Sequence, residues 1–248
     1  MPGKSVLFNF DGPDNVNSLR VPWKETPRLV DFIKNPADFG QILVVNYSSI
    51  YEELTVNAAP DPSKDKIRWL IEDIRALYQW KDNLAVEEKK GNVIIETLGS
   101  LGDEVLDFIV ASNGRKDTQI QDYKIAKYKI QSILGSLMGL GLNFILTGHL
   151  QAEREEITGR GRITPMIWGK DLPASIPRMF GEVFQSLVVS DAKSPGGIAY
   201  KWLTKPDPTG FIGFLGTRRF DDLPKFINQD FGYLVDLEKA LTSKEVKK

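Results

Sequence analysis

Short apolar segments alternate with long amphipathic helices in the first half of this chain, and this alternation constrains its fold more than any other feature. Continuous apolar runs bounded by polar or turn residues predict buried strands, at 5–10, 41–46, 92–96 and 143–147. Between them, apolar residues recur every three or four positions, which predicts helices with one buried face, over 67–78, 101–109 and 123–138. Helices between apolar strands favour parallel βαβ units with right-handed crossovers. We therefore expect an α/β fold with a mainly parallel sheet, in which 41–46 is an edge strand.

The C-terminal third of the chain has a different pattern. Strand-like runs at 183–189, 198–203 and 211–214 are separated by the turn sequences SPGG and PDPTG. Such spacing is typical of an antiparallel meander. We expect this C-terminal antiparallel meander to lie on one edge of the sheet, with its first strand, 183–189, parallel to the core strands.

Composition limits the classes of protein that the chain can belong to. Its 248 residues are 42% hydrophobic, which is enough to bury a sizeable core. The net charge is −1, so any binding of nucleic acid must come from a local patch. There is no cysteine and only one histidine, which excludes disulfides and thiolate metal sites. No apolar window is long enough for a membrane span. We expect a cytoplasmic protein, in the host cell cytoplasm if it is viral, with no membrane partner.

Two of the predicted strands end in acids in a pattern that resembles a known family. Residues 7–12 read LFNFDG and residues 93–98 read VIIETL. Their order and spacing resemble those of the phage-type AAA/RecA-like P-loop ATPases, a family associated with single-strand annealing and recombination. The resemblance covers roughly 4–234. It implies a three-layer RecA-like core over 1–236, followed by a charged tail at 237–248.

This resemblance implies catalytic roles for three residues. RecA-like enzymes place a water-activating glutamate at the tip of the first strand, where this chain has Asp11. The second strand corresponds to Walker B, whose acid steadies Mg²⁺ and is Glu96 here. His149 ends the sensor strand, although Leu150 stands where the family has an acid. A purely structural role is the alternative for both Glu96 and His149.

The stretch 151–168 resembles the mobile loop with which RecA-like proteins approach single-stranded DNA. Arg160 and Arg162 alternate with glycines, so they can follow phosphates, and Trp168 can stack on a base. Acidic residues at 153, 155 and 156 oppose this role. A solvated surface loop is therefore the alternative.

Segments 165–170 and 176–183 match the family most closely and imply that Lys170 binds nucleotide. Later in the chain, RecA-like subunits carry a Lys-x-Arg element that reaches a neighbour's γ-phosphate. Arg218 matches its arginine, whereas Gly216 replaces its lysine. A surface ion pair between Arg218 and Asp221 or Asp222 is the alternative.

The motif that defines the P-loop is not found in the chain. No segment reads G-x-x-x-x-G-K-[ST], the loop whose backbone N–H groups and lysine hold the β- and γ-phosphates. Phosphoryl transfer depends on positioning and charge stabilisation, so this loss compounds the changes at 96, 150 and 216. We expect Mg²⁺ and ATP to bind weakly or not at all to this chain alone.

Three functions remain open. The leading hypothesis is an ATPase-derived domain of phage origin that acts in DNA recombination or single-strand annealing, with single-stranded DNA and a protein partner or a homo-oligomer as partners. The second is a functional ATPase whose P-loop lies upstream or on another chain. The third is a virion or assembly protein that keeps the fold as a scaffold. An in-frame P-loop upstream would favour the second.

Overall fold

The computed structural model describes residues 3–11, 19, 21–47, 62–85, 90–154, 161–206, 215–218, 223–229, 234 and 236. The chain divides into two compact units. The parallel-sheet unit comprises Met1–His149 and Ile167–Gly169, and the antiparallel unit comprises Leu150–Met166 and Lys170–Lys248. The domain expected over 1–236 stays a prediction, and the tail at 237–248 lies outside the described residues.

A five-stranded parallel sheet is the centre of the parallel-sheet unit. Its strands are β1 (Ser5–Asn9), β2 (Trp23–Thr26), β3 (Ile42–Asn46), β4 (Asn92–Glu96) and β5 (Asn143–Leu146), in the order β2-β3-β1-β4-β5. Every residue of β1 and β3 is buried, as expected for apolar strands covered on both faces. The α/β fold with a parallel sheet is therefore confirmed, whereas its RecA-like, three-layer character stays a prediction.

One prediction about this sheet is wrong, because the segment 41–46 is not an edge strand. It forms β3, which lies between β1 and β2. The edge is β2, whose Lys24 and Glu25 are exposed. The uniformly apolar sequence of β3 suits a central position, and the flanking Pro22 and Pro27 restrict β2 to a short edge strand.

Four α-helices of the described residues belong to the same unit, and three of them lie where the apolar periodicity predicts. They are α1 (Leu29–Lys34), α2 (Pro62–Trp80), α3 (Leu98–Ser112) and α4 (Ile120–Met138). Along the chain each helix packs against the next. A capping box formed by Gln119 and Asp122 begins α4, and Gly139 follows its last residue. No described helix has both the length and the apolar character needed to cross a membrane.

The described part of the antiparallel unit contains three small sheets and short helical turns. Its strands are β6 (Leu150–Arg154), β7 (Gly161–Pro165), β8 (Glu182–Val183), β9 (Gln185–Ser190), β10 (Ile198–Leu203), β11 (Gly216–Thr217) and β12 (Phe226–Asn228). Strand β6 pairs with β7, β8 pairs with β11, and β10 lies between β9 and β12. The helix α5 (Asp171–Ser175) and the 3₁₀ turn Pro177–Met179 connect β7 to β8.

Two predictions about this unit are corrected. The segment 183–189 does not join the parallel sheet, because β9 pairs antiparallel with β10. Its half-buried and exposed residues alternate, which is typical of an antiparallel strand with one covered face. The stretch 151–168 is not only a loop, since β6 and β7 form a ladder with Glu153 opposite Arg162. The strand predicted at 211–214 lies outside the described residues, and β12 provides the third strand of the sheet.

Candidate functional site

Three strands of the parallel sheet end side by side and carry the predicted acids and the histidine. Asn9 of β1 is in register with Glu96, the last residue of β4, and Ile95 is in register with the last residue of β5. Asp11 follows β1, and His149 follows β5. Parallel strands gather their carboxyl ends at one edge, where open α/β sheets bind their ligands. The sheet therefore brings Asp11, Glu96 and His149 together.

The carboxylate of Asp11 is held by two hydroxyl groups at the start of α3. Thr97 Oγ1 donates to Asp11 Oδ1 over 3.2 Å, and Ser100 Oγ donates to the same oxygen. The backbone N–H of Asp11 donates to Asn9 Oδ1 over 3.2 Å. Thr97 precedes the first residue of α3, so the carboxylate lies at a helix N-terminus that stabilises negative charge. The sequence reasoning did not include Thr97 or Ser100, although a Thr-x-x-Ser spacing at a helix start was visible.

Glu96 lies beside this arrangement in a half-buried position. Burial raises the pKa of its carboxyl above the ordinary value, and the charge of Asp11 raises it further. A hydrogen bond from the Thr147 side chain and the charge of His149 act in the opposite direction. The Thr147 hydroxyl is also 3.2 Å from the Ile95 carbonyl, which is a second acceptor for its one proton. A carboxyl with this balance of contacts can hold or accept a proton near the end of the sheet.

The donor set does not form a metal centre by itself. Among the described residues, no three His, Cys, Asp or Glu side chains are grouped so that they could hold a metal ion. One oxygen of Asp11 is already bound to two hydroxyl groups. Mg²⁺ is commonly bound by one or two carboxylates together with phosphate oxygens, so these residues would need a bound nucleotide to complete a site. Within the described ranges, the side chains alone do not supply the ligand set that Mg²⁺ prefers.

The other predicted residues are distributed over both units. Lys170 belongs to the antiparallel unit and is exposed immediately before α5. Arg162 lies on β7, where its Nη2 is 2.9 Å from Glu153 Oε2. Arg218 follows β11 and donates from Nη2 to the carbonyl of Arg178 over 2.7 Å. Arg162 and Arg218 line one cavity of this unit, which the sequence did not predict.

Trp168 belongs to the parallel-sheet unit and packs on its helices. Its ring meets Tyr123 edge-to-face, with centroids 5.3 Å apart. Ile167 and Trp168 pack closely against α3 at Gly102. A side chain at this position would crowd them, because a Cβ there would lie 2.9 Å from Ile167 Cδ1 and 3.4 Å from Trp168 Nε1. Trp168 is half-buried, so part of its ring is available to a ligand. Arg160, Asp221 and Asp222 lie outside the described residues.

The sequence matches no known protein-family model and no curated protein. The resemblance to AAA/RecA-like ATPases therefore stays a prediction based on the motifs described above.

Proposed function

We propose that this chain is an ATPase-derived, RecA-like domain of phage type that acts in DNA recombination or single-strand annealing in the host cytoplasm. Alone, it binds Mg²⁺ and ATP weakly and has little or no hydrolysis. The observation that carries the proposal is the meeting of Asp11, Glu96 and His149 at the carboxyl ends of β1, β4 and β5. This is the edge where an α/β nucleotide-binding fold places its reactive groups.

The chemistry of Glu96 and Asp11 is a reason to expect little ATP hydrolysis. The carboxyl of Glu96 has a raised pKa, which disfavours the ionised form that would interact with a metal. Asp11 has one methylene fewer than the glutamate of the family, and a displacement of about 1 Å in such a group can cost about 10²-fold in rate. Without the cradle of backbone N–H groups and its lysine, the phosphates lose their main anchor.

The edge of the sheet at β5 favours a second candidate, a functional ATPase completed by another chain. Among the described residues, β5 pairs only with β4. Three of its residues, Phe144, Ile145 and Leu146, are half-buried, whereas the apolar residues of β4 are buried. Parallel sheets are usually covered, and an open edge can accept a strand from a partner. A homo-oligomer or a protein partner could supply the missing phosphate loop there.

Single-stranded DNA is the proposed nucleic-acid partner. Arg160 and Arg162 of the antiparallel unit would contact phosphates, and Trp168 is a separate candidate stacking residue of the parallel-sheet unit. With a net charge of −1, binding should have a shallow salt dependence set by a few phosphates. The double substitution of Arg160 and Arg162 by alanine should lower affinity for a single strand by about 1–3 kcal/mol.

Calorimetry with Mg²⁺-ATP on the purified chain tests the central proposal. We expect a dissociation constant no tighter than about 1 mM. Micromolar binding that Glu96→Ala abolishes would instead indicate a rearranged, functional site. Light scattering on the same samples measures oligomeric state: strong binding that appears only in an oligomer or with a partner chain would favour the second candidate. A protein that binds neither ATP nor single-stranded DNA under any of these conditions would favour the scaffold role.

A further inference from the structure

An open cavity of about 490 Å³ lies within the antiparallel unit. Three arginines line it, namely Arg162, Arg178 and Arg218, and none of its described lining residues is acidic. The whole chain has a net charge of −1. This concentration of positive charge is therefore a local feature, of the kind that raises the local concentration of an anionic ligand.

Two of the three arginines, Arg162 and Arg218, have side chains held by contacts within the unit. The backbone N–H of Arg218 donates to the Gly181 carbonyl over 2.8 Å, and its guanidinium donates to the Arg178 carbonyl over 2.7 Å. Arg162 is held by Glu153, with Nε 3.0 Å from Oε2. No ion pair involves Arg178 or Arg218 within the part of the chain that the structure describes. The Arg218 guanidinium, fixed by a carbonyl and without a carboxylate partner among the described residues, suits phosphate oxygens, and Arg178 adds a second positive charge at the cavity.

One residue that lines the cavity carries a buried hydroxyl group without a partner among the described residues. Thr164 is only 9% exposed, and it lines the cavity. Its Oγ1 has no hydrogen-bond partner among the described residues. Nearly all buried polar atoms in folded proteins are paired, and an unpaired one is costly. A ligand oxygen or nitrogen in the cavity would satisfy this hydroxyl.

The remaining wall is largely apolar and lies beside the charged groups. Ile163, Pro177, Phe180 and Val183 contribute to it. Cavities of a few hundred cubic ångströms with an apolar wall and a few fixed polar groups are typical of small-molecule sites. The combination suits a ligand that carries a phosphate next to a flat, weakly polar part.

We propose that this cavity binds a nucleotide unit, either free or within a single strand, with its phosphate against Arg178 and Arg218 and a polar atom bonded to Thr164. The base or sugar then lies along the apolar wall. This site rests on the proposed binding of single-stranded DNA and deepens it, because it places the phosphate contact at a cavity of the antiparallel unit that needs neither Mg²⁺ nor hydrolysis.

Binding is measured at low salt in EDTA, so that no divalent cation contributes. The probes are a fluorescein-labelled oligothymidylate, followed by anisotropy, and ATP and inorganic phosphate, followed by calorimetry. The variants are Arg178→Gln and Arg218→Gln, with Arg75→Gln as the control because Arg75 is exposed on α2 in the other unit. Circular dichroism and thermal melting confirm that each variant is folded.

We expect Arg178→Gln and Arg218→Gln each to weaken binding by about tenfold or more, which is the loss of one charge-assisted hydrogen bond, and Arg75→Gln to change it by less than about twofold. If ATP displaces the oligonucleotide, a free nucleotide can occupy the site. If the oligonucleotide binds and ATP neither binds nor displaces it, the ligand is a unit of a strand. No binding of the oligonucleotide or of ATP, or an equal loss in all three variants, would overturn the proposal.

Thr164→Val separates a ligand contact from a structural role. Replacing an unpaired buried hydroxyl by a methyl group should raise the melting temperature of the ligand-free protein. The same change should weaken binding of the probe, because the ligand loses a hydrogen bond. A variant that melts higher and binds the probe as tightly as the parent would contradict the assignment of Thr164. The two failures are distinguishable. If the parent protein binds no oligonucleotide, the proposed single-stranded DNA partner fails together with the cavity. If the parent binds it and Arg178→Gln and Arg218→Gln bind it equally tightly, only the cavity assignment fails.

Discussion

The two units bury their strands to different extents. In the parallel-sheet unit, every residue of β1 and β3 is buried. In the antiparallel unit, β9 has no buried residue, and β10 has two, Trp202 and Leu203. The described core clusters of that unit are small, one around Trp202 and one around Leu203 and Leu215. The parallel sheet therefore offers the larger apolar stabilisation, and the antiparallel sheets leave more of their surface open to solvent or ligands.

The polar groups of the two units also differ in how far they are buried and paired. The parallel-sheet unit buries Asp73 with Tyr47, and Lys66 with Glu104, so that each charge has a partner inside the protein. The antiparallel unit places its arginines around an open cavity. Buried polar groups stabilise a fold only when they are fully paired. Polar groups at an open cavity can bind a ligand while the fold stays unchanged.

Matched leucine-to-alanine substitutions should have the largest effect and test the difference in burial directly. Leu43 in β3 is fully buried, whereas Leu203 in β10 is 6% exposed and packs in a two-residue cluster with half-buried neighbours. Because a rigid central strand collapses less around a cavity, we expect Leu43→Ala to cost about 4–5 kcal/mol and Leu203→Ala about 2–3 kcal/mol. Native-state hydrogen exchange of amides in β3 and β10 measures both. Equal losses would show that the two cores are similarly packed.

Breaking the buried ion pair between α2 and α3 should have the next largest effect. Lys66 is 2% exposed, and its Nζ lies 2.6 Å from Glu104 Oε1. Lys66→Ala leaves a buried carboxylate without this partner, so we expect a loss of about 3 kcal/mol in unfolding free energy. The control is Lys34→Ala, which breaks an exposed pair with Asp31 and should cost less than about 1 kcal/mol. Urea denaturation compares them, and similar costs would indicate that the buried pair is open to water.

A hydroxyl removed from the polar core should have a smaller effect. Tyr47 is fully buried, and its hydroxyl donates to Asp73 Oδ2 over 2.7 Å. Tyr47→Phe leaves that carboxylate with fewer partners, so we expect a loss of about 1–2 kcal/mol. Tyr78→Phe is the control, because the Tyr78 hydroxyl donates to the Ser136 carbonyl at an exposed position and its loss should cost little. Thermal melting of both variants checks the difference, which disappears if water reaches Asp73.

The parallel-sheet unit was largely predictable from its sequence. The strands β1, β3, β4 and β5 are continuous apolar runs, and the helical spacing in α2, α3 and α4 is strong. The meeting of Asp11 and Glu96 followed from the geometry of a parallel sheet. Strand β2 was missed, because its sequence WKET has no apolar pattern and it is recognisable as a strand only by its pairing with β3.

The cationic cavity could not be predicted, because its parts come from distant segments. Thr164, Arg178 and Arg218 lie on β7, in a 3₁₀ turn and after β11. Pairing of the short strands β8 and β11 is needed to bring the last of these segments to the others. A two-residue strand has no periodicity, so the sequence could not reveal the pairing.

The smallest expected effect concerns Glu96. It tests whether the end of the parallel sheet favours the neutral or the charged form of this carboxyl. Because burial raises the pKa of Glu96 in the folded state, the protonated form is favoured there, and its contribution to stability is lost as the pH rises through that raised pKa. Glu96→Gln mimics the protonated form, so we expect it to raise the melting temperature at pH 7 and to have little effect at about pH 4, near the ordinary pKa of glutamate. A lower melting temperature for Glu96→Gln at pH 7 would mean that Thr147 and His149 hold the carboxylate as an anion, so that the end of the parallel sheet, like the cavity of the other unit, stabilises charge rather than excluding it.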